Sequence, residues 1–98
     1  MKPIVFQTKA AQEAMDAAVA YEEEQEGLGD RFRAELRTAL IRIQENPELY
    51  AKEFQAIRIC PIHRFPYLIF YEDRADCIWV AAVGHHRRRP GYWVRRRH

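Results

Sequence analysis

The spacing of apolar residues along the chain changes several times, and each change marks an element. Pro3 to Gln7 alternates, with Ile4 and Phe6 on one side and Val5 on the other, which predicts a short strand. From Ala10 to Glu26, Ala11, Met15, Ala18 and Val19 fall at helical spacing on one face, in an alanine-rich context that favours helix. Thr8 is the expected N-cap. Gly27-Leu28-Gly29 interrupts the pattern, and Asp30 opens a second helix. In that helix Phe32, Leu36, Ala39, Leu40 and Ile43 recur at i, i+4, i+7, i+8 and i+11. Asn46-Pro47 stops it, because a residue preceding proline is disfavoured in helical conformation. A joint this short predicts an antiparallel helical hairpin.

In the second half the period drops to two. Glu48 to Gln55 reads as a loop tacked down by Leu49, Tyr50 and Phe54. Ala56 to Pro61 alternates, with Ile57 and Ile59 opposite Arg58 and Cys60. Tyr67, Ile69 and Tyr71 alternate with Leu68 and Phe70. After a polar turn, Ile78 to Val83 is an uncharged run of β-branched, aromatic and small residues, as in a strand buried on both faces. The expected fold is α+β, in the order β-α-α-β-β-β, with the hairpin packed on a mainly antiparallel sheet of four main strands. The expected core is Ile4, Phe6, Met15, Val19, Phe32, Leu36, Leu40, Ile43, Ile69, Val80 and Val83.

Composition narrows the function classes. Ninety-eight residues make a single domain, 1–98, able to bury roughly 60–70% of its unfolded surface. Residues 1–55 carry 7 basic and 11 acidic side chains, whereas 56–98 carry 9 basic and 3 acidic, a net of −4 against +6. All nine basic residues of the second half are arginine, the better fork for phosphate or carboxylate. Their densest cluster is a basic C-terminal tail, 86–98, which follows the last strand without a break. Cys60 and Cys77 lack metal-ligand spacing and are expected as buried free thiols. No metal and no cofactor is expected. Neither a secretory leader nor a membrane-spanning run is visible, so the expected location is cytoplasmic, with no membrane partner.

Five phrases in order carry a family resemblance. They are Tyr21-Glu22-Glu23, then Gly27 to Phe32, then Ile43-Gln44-Glu45-Asn46-Pro47, then Arg64-Phe65-Pro66-Tyr67-Leu68-Ile69-Phe70-Tyr71, and last Val83 to Trp93. Together they resemble the RelE/ParE superfamily of type II toxin–antitoxin toxins, often called plasmid stabilisation proteins, over nearly the whole chain. The resemblance implies a small bacterial toxin neutralised by a cognate antitoxin. It leaves two activities open: ParE-like poisoning of DNA gyrase, or RelE-like cutting of messenger RNA on the ribosome without a metal.

Ribonuclease chemistry needs a base for the 2′-hydroxyl, cations for the phosphorane and an acid for the leaving oxygen. Under that reading the catalytic residues are His86, Arg88 and Tyr92, with Tyr92 and Arg88 resembling RelE-like positions and His86 standing where an arginine is usual. Under either activity Arg58, Arg64, His85, Arg87, Arg89 and Trp93 are the candidates for binding target or nucleic acid. A polar strand end without catalytic duty is the alternative for His85 and His86, and a cover over the sheet edge is the alternative for Trp93. One departure favours ParE: RelE-like ribonucleases place an arginine after the strand tyrosine, where this chain has Leu68. The expected function is thus ParE-like growth inhibition through gyrase. A ribosome-dependent endoribonuclease and a non-toxic antitoxin binder are the alternatives.

Overall fold

A computed structural model describes residues 1–89 and 91–96; Pro90, Arg97 and His98 of the basic tail lie outside the described residues. The order is β1 (Ile4–Phe6), α1 (Thr8–Glu24), α2 (Leu28–Glu45), β2 (Lys52–Phe54), β3 (Ile57–Pro61), β4 (Tyr67–Asp73) and β5 (Ile78–His85), followed by a 3-10 turn at Val94–Arg96. The five strands form one sheet in the order β1-β5-β4-β3-β2. β1 runs parallel to β5, and every other pairing is antiparallel. The expected α+β architecture is present, with a fifth strand added. β2, within the expected loop, is an exposed edge strand whose Lys-Glu-Phe sequence carries no hydrophobic alternation.

Helix α1 starts one residue earlier than a Thr8 cap allows. Gln7 is held extended by its backbone bond to the Val80 carbonyl, and its side-chain oxygen accepts from the N–H groups of Lys9 and Ala10 at 2.7 and 3.3 Å. Thr8 is therefore the first helical residue. The hairpin turns at Gly27, whose φ of 86° suits glycine. The carboxylate of Glu22 accepts from the N–H groups of Gly27 and Gly29, filling donors the new helix leaves free.

The buried face of α1 differs from the expectation. Met15 and Val19 are 57% and 52% exposed. Ala10, Ala17 and Ala18 are buried instead, with Ala14 and Tyr21 packed beside them. Small side chains let the helix axis approach the sheet closely, so the alanine stripe is favoured over the bulkier one. Phe32, Ile43, Ile69, Val80 and Val83 are buried as expected, whereas Ile4, Phe6, Leu36 and Leu40 are half-buried around them.

β5 contains a bulge. Phe70 pairs with Ala82 and Tyr71 with Val80, leaving Ala81 over. The inserted residue resets the alternation, so Val80 and Val83, three apart, both face the helices. The opposite face carries Ile57, Phe70, Trp79, Ala81 and Ala82, and Trp93 of the C-terminal segment closes over it. Cys60 is buried as a free thiol, but Cys77, just before β5, is only half-buried and free. Among the described residues no helix is long and apolar enough to cross a membrane.

Candidate functional site

β5 ends at His85, opposite Tyr67 of β4, so the end of β5 and the β3–β4 loop share one end of the sheet. The Pro66 carbonyl accepts the His86 backbone N–H at 2.8 Å, and the His85 carbonyl accepts that of Arg88 at 2.9 Å, turning the chain off the sheet. The His85 and His86 rings stack at 4.7 Å. His85 Nδ1 accepts the Arg87 backbone N–H at 3.1 Å, which puts the ring proton on Nε2. Desolvation, then neighbouring His86 and Arg87, push the His85 pKa down. Neutral His85 thus has neither ring nitrogen free to take a proton. His86 Nδ1 faces the Pro66 carbonyl at 3.2 Å, so its proton sits there and Nε2 stays open.

Tyr92 lies on the face of the sheet away from the helices, directly over Gly84. A Cβ on Gly84 would stand 2.1 Å from the Tyr92 hydroxyl, so this position has room only for glycine. The Arg88 guanidinium covers the phenol ring at 3.9 Å and Arg96 approaches it at 5.1 Å. The Tyr92 hydroxyl is buried beside Glu13 without a well-formed hydrogen bond. Burial, then the Glu13 carboxylate, push its pKa far above that of a free tyrosine.

Glu13, on α1, organises this end of the molecule. β1 stops opposite Val80, which leaves the edge of β5 beyond it unpaired. Glu13 Oε1 accepts the Val83 N–H there at 3.0 Å. The same carboxylate takes both terminal nitrogens of Arg96 at 2.7 and 3.1 Å, and Arg96 also donates to the Ala81 carbonyl. Arg88 sits 3.9 Å from its other oxygen. One glutamate therefore substitutes for a missing strand and anchors the C-terminal turn. Sequence reasoning passed over both Glu13 and Arg96. The available signal was an acid three residues after Ala10 and four before Ala17, in register with the buried stripe.

The remaining candidates separate. Arg87 and Arg89 are exposed beside Arg88. Arg64 lies in the β3–β4 loop with φ 72°, and with Arg31, Leu28 and Phe65 it lines a shallow pocket of about 250 Å³. Arg58 is not part of this end: it donates to the Tyr50 carbonyl at 2.6 Å and pairs across β2 and β4 with Lys52 and Tyr71. Trp93 is 3% exposed, with Phe70 at 5.4 Å and Phe54 at 5.6 Å, so it is a core residue and faces no solvent. A groove of about 340 Å³ runs between α1 and the end of β5, with Glu13 and Asp16 on one wall and Tyr67, His85 and Arg88 on the other. Its acidic wall repels a phosphate. Among the described residues no group of three or more His, Cys, Asp and Glu is placed to hold a metal ion.

Comparisons with known proteins agree with this architecture. No curated protein matches the chain. A chain of the solved "Chromosomal ParDE TA system from P. aeruginosa" is similar to it with a TM-score of 0.67 and 17% identity, over 87% of this chain and 96% of that one. At that identity the likeness shows the fold alone. The family model "ParE toxin of type II toxin-antitoxin system, parDE" matches residues 5–90, from β1 past the end of β5. A match of that span covers the hairpin, the sheet from Val5 onward and the His85–Arg89 turn, and the chain belongs to the ParE toxin family.

Proposed function

We propose that the chain is the toxin of a type II pair, neutralised by a cognate antitoxin, and that it acts by contact on DNA gyrase without cutting RNA. The observation that carries this reading is the commitment of the ribonuclease candidates to the fold. Arg88 lies over the Tyr92 ring and within reach of the Glu13 carboxylate, which already binds Arg96. The Tyr92 hydroxyl is buried with its pKa raised, which makes it a poor proton donor at neutral pH. His86 keeps one open ring nitrogen, with its other nitrogen on the Pro66 carbonyl. Leu68, where a phosphate-clamping arginine would stand, pairs with Gly84 and packs with the second core. For the antitoxin, the exposed Met15 and Val19 give α1 an apolar outer face four residues in pitch, suited to an amphipathic helix.

Expression of the chain without antitoxin tests the target. The expected outcome is accumulation of gyrase-bound DNA breaks, with messenger RNA intact at every stage. Codon-register cleavage of ribosome-bound message without such breaks would overturn the gyrase reading in favour of the ribonuclease.

A further inference from the structure

The five arginines described in the tail divide into two groups. Arg88 and Arg96 cover Tyr92 and meet Glu13. Arg87, Arg89 and Arg95 are exposed, and among the described residues none of their guanidiniums makes a hydrogen bond or an ion pair. Arg89 and Arg95 line one open concavity of about 510 Å³, floored by Gly91, Tyr92 and Val94. Arg87 belongs to the turn that leads into it. Unlike the groove beside α1, this concavity has no acidic side chain in its lining.

We infer that Arg87, Arg89 and Arg95 form a contact for the sugar–phosphate backbone of duplex DNA. Three guanidiniums, each able to fork onto phosphate oxygens, suit a polyanion with regularly spaced charges. A single strand finds little to stack on: Trp93 is 3% exposed, and the half-buried Tyr92 ring at the floor already carries Arg88 at 3.9 Å and Arg96 at 5.1 Å. Backbone charge without a stacking platform is the recognition mode of a duplex, and it carries no sequence preference. The contact rests on the gyrase reading for its place in toxicity, since gyrase holds duplex DNA, but its existence does not need gyrase.

The test is fluorescence anisotropy of a mixed-sequence DNA duplex titrated with the whole chain at several salt concentrations. Three phosphate contacts give a slope of log affinity against log salt of about −2.7, or a loss of about 40-fold between 50 and 200 mM. Replacing Arg87, Arg89 and Arg95 together by Gln flattens the slope towards zero and leaves the melting transition in place. The variant Arg58→Gln retains the slope. An unchanged slope in the triple variant, or tighter binding of single-stranded RNA than of the duplex, overturns the inference. A second arm separates the two readings. If the triple variant loses DNA binding yet traps gyrase breaks as before, the contact has no part in toxicity. If the parent binds duplex DNA and traps no breaks, the gyrase reading falls and the contact stands.

Discussion

Gly84 and Tyr92 share a space that admits one of them with a side chain. In Gly84→Ala the new Cβ falls 2.1 Å from the hydroxyl and 2.9 Å from the ring carbon bearing it, so the C-terminal turn must shift. The expected cost is about 1–3 kcal/mol in urea unfolding, as for other overpacked sites. The double variant Gly84→Ala/Tyr92→Ala should lose less than the sum of the two single changes, because removing the ring removes the clash. Tyr71 gives a second test at this scale. It is fully buried, its hydroxyl donates to the Pro47 carbonyl at 2.8 Å, and burial pushes its pKa up to about 12. A raised folded value means stability present below the unfolded pKa of about 10 and lost as pH rises through 12. Absorbance titration should show this phenol ionising near 12 with unfolding alongside, and Tyr71→Phe should remove that step.

Helix α1 packs a stripe of alanines inward and leaves Met15 and Val19 outside. Met15→Asp/Val19→Asp should thus change unfolding free energy by no more than about 0.5 kcal/mol, the range of ordinary surface changes. The same pair should abolish co-purification with the antitoxin. Ala17→Leu, pointing inward, should do the reverse and destabilise by about 1–3 kcal/mol. The contrast also shows what a sequence can carry. α2 was legible because Phe32 and Ile43 are both large and buried, so size and position agree. In α1 they disagree: closeness of approach decides which residues are buried, and that depends on a sheet 60 residues further along. β4 and β5 were legible as alternating and uncharged runs, but the bulge at Ala81 was not, because an inserted alanine looks like its neighbours. The basic end was legible as composition. Its division into anchored and free arginines was not, since that depends on Glu13, which is 83 positions from Arg96 in sequence.

Taken whole, the molecule holds its acidic and basic halves together through a few long-range ties, and the gyrase and DNA measurements above probe the end where they meet. One of these ties is the parallel pairing of β1 with β5, in which Ile4 finds its partner only at Ile78. Proteins are made from the N-terminus at roughly 5–20 residues per second, so β1 waits about 4–15 s for the strand it pairs with. Over that interval α1 lacks β5, the strand it packs against, and Glu13 has neither Val83 nor Arg96 to bind. The fold therefore closes as one late event in synthesis. A ribosome that stalls before Ile78 releases a fragment with neither the complete sheet nor the arginine turn. By the function proposed above, such a fragment is harmless to the cell that made it.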